Sequence, residues 1–249
     1  MRIPGQMTNK TYLFEKSATY FDRDVVPTRA YRLLKHANLI AILISPAKRA
    51  YSWYQHMRAH EDEIAMHYSF HEVITATPNN ASKALRSLQS RYLSACFSIH
   101  LRTYLIINSD LFFRCLEPGK YASHLERWLQ HYNTQQLYIV DGEELKSDPV
   151  NIMNKLQHFL NIQPIVDYRR LLKFDSKKGF YCPILHGKTK CLGKGKGRIY
   201  PPMETETQKY LQNYYRLYNE HLLKLLRRLG YATPEWLKRD LYDEVVDTN

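Results

Sequence analysis

The sequence predicts an α/β fold, a parallel sheet flanked by helices. Two short apolar runs, Leu39–Ile44 and Gln136–Val140, supply the strand signals. Apolarity without alternation is what a strand covered on both faces needs, as in a parallel sheet. Around these runs lie longer stretches with apolar residues at helical spacing, and strands alternating with helices argue for a sheet under helical cover.

Taken in order, Thr11–Lys16 reads as a short strand. Val26–Ala37 reads as a helix with Pro27 near its start, where a missing N–H costs nothing. Leu39–Ile44 follows as a central strand. Ser45-Pro46 then opens a helix reaching about Arg58, with serine as cap and proline in the first turn. No Glu or Gln completes a capping box there. Tyr121–Tyr132 is amphipathic, with Leu125, Trp128 and Leu129 on one side. After the strand Gln136–Val140, Asp148-Pro149 caps a helix whose Val150, Met153, Leu156, Phe159 and Leu160 form an apolar stripe. The segment Glu204–Leu229 is a long helix presenting Tyr210, Leu211, Tyr214, Leu217, Tyr218, Leu222 and Leu225. No internal repeat is present.

Composition narrows the function classes. A chain of 249 residues suits one domain, and 44% hydrophobic with 13% aromatic residues excludes a disordered tail. Thirty-six Lys and Arg against 24 Asp and Glu give a net charge of +12, which favours polyanions: nucleic acid, anionic membrane or acidic polysaccharide. Nucleic acid is the weakest of these, because no RNP, helix-turn-helix or finger motif occurs. The most apolar stretch, Tyr92–Phe113, is interrupted by His100, Arg102, Asn108 and Asp110, too polar for a membrane span, and Met1–Gln6 holds no apolar signal segment. The expectation is a soluble chain that makes no membrane contact of its own. Four cysteines are too few for a disulfide scaffold.

Three clusters carry chemistry. Lys177-Lys178-Gly179-Phe180-Tyr181-Cys182 is followed by Lys190-Cys191-Leu192-Gly193-Lys194-Gly195-Lys196-Gly197-Arg198-Ile199-Tyr200, the cysteines bracketing a turn at His186-Gly187. Glycines let the backbone approach a ligand, and amides among Lys and Arg suit phosphate oxygens. A solvated basic loop has the same composition. The two thiols could bridge, closing a small loop worth roughly 2–3 kcal/mol, or bind zinc with His186. In the second cluster Arg49, Ser52 and His56 share one helix face beyond a strand's carboxyl end, where α/β folds bind ligands. A surface arginine, a small helix residue and a polar histidine would look the same. The third is Glu15-Lys16-Ser17, at the end of the first expected strand.

Four segments together carry a resemblance: Phe14–Phe21 (FEKSATYF), Ser45–His56 (SPAKRAYSWYQH), Ser69–Ala76 (SFHEVITA) and Lys177–Tyr200. The chain resembles the sulfotransferase domain of heparan sulfate N-deacetylase/N-sulfotransferases, from about Thr11 to Leu241. The resemblance implies a P-loop-NTPase-like sulfotransferase fold. The implied donor is 3′-phosphoadenosine 5′-phosphosulfate (PAPS), the implied acceptor the glucosamine amine of heparan sulfate or heparosan, and the implied location the Golgi, with no metal. It implies a donor site made of Arg49, Ser52, Tyr181, Lys196, Gly197, Arg198, Ile199 and Tyr200, with the 3′-phosphate on Ser52 and Arg49 in support. Lys16, His56 and Lys196 match positions that orient or neutralise the transferred sulfonate, and Cys182–Cys191 matches the family's disulfide. Many sulfotransferases carry Arg-Asn-Pro where this chain has Ile44-Ser45-Pro46, which removes one phosphate contact.

Two departures follow from the same resemblance. The family's first strand, its Lys-Thr-Gly-Thr-Thr loop for the 5′-phosphosulfate and a glutamate base shortly after it have no counterpart in these 249 residues. The expectation is a domain incomplete at its N-terminus and impaired in transfer, the alternative being an inactive remnant that binds adenosine 3′,5′-bisphosphate or heparin-like polyanions. Secondly, the family runs from an equivalent of Leu88-Gln89-Ser90-Arg91 almost directly into Cys115-Leu116-Glu117-Pro118-Gly119. Here Tyr92–Arg114 intervene, read as a retained intron or as an insertion. That segment precedes the family's Gly-x-Tyr-x-x-x-Leu-x-x-Trp helix at Gly119, Tyr121, Leu125 and Trp128.

Overall fold

The computed structural model describes residues 12–76, 111–163, 165–192 and 200–243. The chain divides into two compact units, Met1–Leu43 with Arg127–Ile199, and Ile44–Glu126 with Tyr200–Asn249. Among the described residues no helix is long and apolar enough to cross a membrane.

The first unit holds helix α1 (Val26–Leu33) and strand β1 (Leu39–Leu43), with Pro27 buried at the start of α1. In the second unit follow α2 (Pro46–Arg58), α3 (Glu63–His67), α4 (Phe70–Thr75) and α5 (Leu111–Leu116). Helix α6 (Tyr121–Leu129) leads back to the first unit. That unit continues with β2 (Leu137–Asp141), α7 (Gly142–Ser147), α8 (Pro149–Phe159), β3 (Leu172–Asp175), β4 (Phe180–Leu185) and β5 (Lys188–Thr189). The second unit closes with α9 (Thr205–Arg228) and α10 (Glu235–Tyr242). The result is a mixed α/β architecture with a parallel strand pair and flanking helices.

The two apolar runs do form the parallel pair, β1 on β2, in the register Leu39↔Leu137 to Leu43↔Asp141. Their burial differs from expectation. β2 is buried at Leu137, Ile139 and Val140, whereas β1 alternates and leaves Ile40 42% and Ile42 57% exposed. Among the described residues β1 pairs on one edge only, so it is not a central strand and one of its faces stays open. The strand expected at Thr11–Lys16 does not form over the described residues from Tyr12 onward. Leu13 is 94% and Phe14 87% exposed, and no described strand pairs with this segment, so nothing supplies the ladder that extended backbone needs. A hydrogen bond from Tyr12 Oη to the Asn161 carbonyl at 3.1 Å ties it down.

Several helices shorten or rotate against expectation. α1 stops at Leu33 rather than Ala37, and α6 at Leu129 rather than Tyr132. On α8 the Asp148 side chain caps the Asn151 amide at 3.1 Å as expected, but the fully buried residues are Pro149, Ile152 and Gln157 rather than the apolar stripe. Gln157 wins a core position because it is satisfied there. Its Oε1 accepts from Val166 N at 2.9 Å and its Nε2 donates to Val166 O at 3.1 Å, pinning the chain after the helix. On α9 the buried line includes Leu211, Tyr215, Asn219 and Leu222, and Leu217 is left 74% exposed.

The expected turn at His186-Gly187 joins β4 to β5, both residues having positive φ (51° and 72°) as a two-residue hairpin turn requires. Cys182 on β4 and Cys191 form a disulfide across this hairpin, Cα to Cα 4.7 Å. The Asp175 carboxylate lies 3.5 Å from the Cys191 sulfur. With both sulfurs in the bridge, neither is a thiolate ligand for the zinc alternative. Cys115, by contrast, lies outside the disulfide and has no exposed surface.

The core of the second unit gathers Ala50 and Tyr54 of α2, Ile64 of α3, Phe70 and Ile74 of α4, Leu116 of α5, and Leu211 and Tyr215 of α9. α4 opens with a reciprocal capping box, Ser69 Oγ accepting from Glu72 N and Glu72 Oε2 from Ser69 N. Within the expected insertion, 92–110 lies outside the described residues. Leu111–Arg114 opens α5, and the Arg114 guanidinium stacks on Trp53 at 5.0 Å.

Candidate functional site

Helix α2 begins where Pro46 supplies the preset φ of a first turn. Ser45 occupies the cap position, but its hydroxyl donates to Asp240 Oδ2 of α10 at 2.8 Å instead of capping the helix. The bond to a carboxylate is charge-assisted, and Ser45 is only 2% exposed. Against this end of α2 opens a cavity of about 760 Å³, inside the second unit. That size falls in the range of ligand clefts, about 300–1,000 Å³. Its wall carries Lys48, Tyr51 and Ser52 of α2, Tyr200–Met203, Gln208 and Gln212 of α9, and Arg239, Asp240 and Asp243 at α10. Tyr51 and Tyr200 meet edge-to-face at 6.4 Å, and Tyr51 Oη donates to the Pro201 carbonyl at 3.0 Å. An exposed serine hydroxyl, lysine and arginine side chains and two aromatic rings on one wall suit a ligand that is both anionic and planar.

Arg49, one residue before the buried Ala50, turns the other way. Its guanidinium donates to the carbonyls of Arg114 (3.2 Å) and Cys115, in the last turn of α5. Those carbonyls carry the negative end of the helix dipole, a natural seat for a cation. Its charge also draws down the pKa of the buried hydroxyls of Tyr121 and Tyr215, which desolvation pushes well up from the ordinary tyrosine value.

The sequence model of the sulfotransferase domain matches residues 24–230. The chain belongs to the sulfotransferase domain family. It is 50% identical over 241 residues, 96% of its length, to the bifunctional heparan sulfate N-deacetylase/N-sulfotransferase of Drosophila melanogaster. To the human bifunctional heparan sulfate N-deacetylase/N-sulfotransferases 1 and 3 it is 47% and 46% identical over 240 residues. It spans 21%, 24% and 25% of these three relatives respectively, about a quarter of their length or less. The crystal structure of a sulfotransferase from Alicyclobacillus acidocaldarius superposes with a TM-score of 0.54 at 18% identity, covering 88% of this chain and 65% of that one. That likeness speaks to the fold.

In this sulfotransferase domain, two of the expected donor residues, Ser52 and Tyr200, share the cavity wall. Arg49 is not part of that wall among the described residues, its guanidinium being held by the α5 carbonyls. His56 lies exposed one turn beyond Ser52, its ring 4.3 Å from that of His60 and 5.4 Å from that of Trp53. Lys16 and Tyr181 belong to the first unit. There Lys16 is exposed on an irregular segment, and Tyr181 packs edge-to-face on Phe174 at 5.3 Å across β3 and β4. Lys196, Gly197, Arg198 and Ile199 lie outside the described residues. Lys48, Tyr51 and the α10 residues had not been singled out. The spacing from Lys48 to Ser52, one helical turn, would have found Lys48; nothing in the sequence links Arg239 to Ser52.

Proposed function

We propose that this chain transfers a sulfonate group from PAPS to the glucosamine amine of heparan sulfate. The observation that carries the reading is the meeting of Ser52 and Tyr200 on one cavity wall beside Tyr51. The cavity suits the donor by its chemistry, since hydroxyl and cationic groups answer phosphate oxygens and the rings answer a base. Similarity to enzymes named N-deacetylase/N-sulfotransferases supports the choice of a nitrogen acceptor.

In the reaction the amine nitrogen attacks sulfur in line. An N–S bond forms, the S–O bond to the 5′-phosphate breaks, and adenosine 3′,5′-bisphosphate leaves with the electron pair. Negative charge builds on the departing phosphate oxygen, so cations and positioning supply most of the rate. In our reading Ser52 holds the 3′-phosphate, and Tyr181 and Tyr200 serve as nucleotide-binding residues. Lys196, Gly197, Arg198, Ile199 and Tyr200 bind the donor, and Lys16, His56 and Lys196 orient and neutralise the sulfonate. The acceptor amine must also shed a proton, which calls for a general base. The chain forms one sulfotransferase domain, residues 92–114 being an insertion in it, and transcript sequence across that segment tests whether it is a retained intron. The Cys182–Cys191 bridge favours an oxidising lumen such as the Golgi.

The test is incubation with PAPS and N-deacetylated heparosan, followed by lyase digestion and mass spectrometry of the disaccharides. N-sulfoglucosamine is the expected product, and Ser52→Ala should lower its yield about tenfold at limiting PAPS, the loss of one charge-assisted hydrogen bond. Sulfonate found on hydroxyls alone, or a yield indifferent to Ser52→Ala, would refute the reading.

A further inference from the structure

The geometry points to a second use for the cysteine pair: with its sulfurs as thiolates, Cys182, Cys191 and Asp175 form a binding site for a divalent cation of the zinc class. The proposal stands apart from the donor-site reading. The two sulfurs and a carboxylate oxygen of Asp175 lie within 4.8 Å of one another, all inside the first unit. Zinc holds sulfur at about 2.3 Å and carboxylate oxygen at about 2.1 Å, so neighbouring ligands in its tetrahedron sit about 3.6 Å (S to O) and about 3.8 Å (S to S) apart. Asp175 Oδ2 already stands 3.5 Å from the Cys191 sulfur. Once the bridge is open, the two sulfurs need only part to the ordinary thiolate spacing. His186, the third ligand that the sequence suggests, lies exposed at the hairpin turn and is not in this group.

The carboxylate is held without help from the bridge. Its Oδ1 accepts from the Lys177 and Lys178 amides at 3.0 and 3.1 Å, which leaves Oδ2 directed at the sulfur. A sulfur in a disulfide has no hydrogen to donate, so in the bridged form this oxygen faces a group that cannot satisfy it. A cation shared with the thiolates would. The backbone also keeps the cysteines close. β4 and β5 pair through Ile184↔Thr189 and Leu185↔Lys188, the Lys190 amide donates to the Pro183 carbonyl at 2.8 Å, and Lys178 Nζ donates to the Leu192 carbonyl at 2.9 Å. Cys182 is fully buried whereas Cys191 and Asp175 are half-buried, so an ion and a water as fourth ligand enter from the Cys191 side. Every chain is made with its cysteines as thiols, and soft thiolates select zinc over magnesium or calcium. Binding forms two Zn–S bonds and one Zn–O bond and releases both thiol protons to solvent, with no change of oxidation state.

Cobalt(II), which takes the place of zinc and reports thiolate ligation by its absorption, tests this on the full chain. A phosphine opens the bridge, water supplying the oxygen of the phosphine oxide and the two thiol hydrogens, and is then removed under inert gas. One equivalent of cobalt should give thiolate charge-transfer and tetrahedral visible bands in the reduced protein and none in the bridged one, and zinc should bleach them. Asp175→Asn keeps an oxygen for the two amides and loses the charge. Supporting groups alone are worth about 10–100-fold in metal affinity, so loss of this ligand should cost at least about tenfold. Affinity should rise with pH, because two protons leave. Bands that persist in Cys182→Ala with Cys191→Ala would place the metal on Cys96 or Cys115 and overturn the proposal. So would an absence of bands in a reduced protein whose circular dichroism matches the bridged form, or an affinity indifferent to Asp175→Asn. If reduction unfolds the chain, folding itself becomes the readout: zinc should restore the circular dichroism of the reduced protein, and failure to do so refutes the site.

Discussion

Replacing Gly119 by alanine should destabilise the second unit through one contact. A Cβ at this position would lie 2.7 Å from Tyr215 Oη, 2.8 Å from Cε1 and 2.9 Å from Cζ. Carbon atoms in proteins do not approach so closely, so the tyrosine ring or the turn must move. Tyr215 has little room: it is 1% exposed in the core, and its hydroxyl donates to the Leu116 carbonyl at 2.8 Å. Inserting a methyl group into a packed site costs about 1–3 kcal/mol. If the ring swings away, the Leu116 carbonyl loses its donor while buried, for another 1–3 kcal/mol or so. Together these predict a loss of roughly 2–6 kcal/mol, or about 4–24 °C in melting temperature for a chain of this size. Thermal melts by circular dichroism, with urea midpoints at an unchanged m-value, measure it. Adding Tyr215→Phe removes the nearest clashing atom but leaves the two carbon contacts, so the double variant should recover only part of the loss. A Gly119→Ala melting point within about 1 °C of the parent, well below the predicted shift, would mean that Tyr215 does not pack over this glycine.

Two further perturbations read other parts of the molecule. Removing the Cys182–Cys191 bridge, by Cys182→Ala with Cys191→Ala, frees a nine-residue loop. Chain entropy puts that at about 2.6 kcal/mol, hence about 5–10 °C. An equal melting point with and without reductant would show that the bridge contributes nothing. Alkaline pH should also weaken the fold. Burial raises the pKa of Tyr121 and Tyr215 above the ordinary 10.0, so each folded hydroxyl keeps its proton where an unfolded one would lose it. That stability is fully present below pH 10 and is lost as pH rises past it toward the folded values. Urea midpoints between about pH 8 and 11.5 should fall in the upper half of that range, spanning the ordinary tyrosine pKa. The fall should be shallower in Tyr121→Phe, and a flat profile would count against the burial argument.

Legibility in the sequence followed the range of the forces involved. The runs Leu39–Ile44 and Gln136–Val140 announced strands because apolarity over five or six residues is a local signal, and both formed close to expectation. Pro46, Asp148 and the His186-Gly187 turn were readable for the same reason, since a preset φ, a cap and a hairpin turn each act within a few residues. Burial was less readable. The open face of β1 depends on what pairs beside it, and the rotation of α8 depends on Gln157 finding both the N–H and the C=O of Val166. The expected strand at Thr11–Lys16 had the right composition and lacked a partner. Ser52 and Tyr200 were legible through motif resemblance, whereas Arg239 and Asp240 reach the same cavity only because α10 folds against α9.

The direction taken by Arg49 shows how a charged residue can anchor the helix that carries a cavity wall. Three anchors fix α2 within its unit. Ser45 donates to Asp240 at its N-terminus, and Arg49 binds the last carbonyls of α5. Tyr54 donates to the Ala65 carbonyl at 3.2 Å and the Tyr68 carbonyl at 2.6 Å, around α3. These anchors occupy the faces turned toward the core and toward α10, and they leave Lys48, Tyr51 and Ser52 for the cavity. A site works when its groups are held in place before the ligand arrives, because ordering them afterward costs binding energy. On this helix the holding falls to Arg49, a charged residue whose type alone suggests ligand contact. Residue type gives the chemistry available; the partner that a side chain already holds decides how the helix uses it.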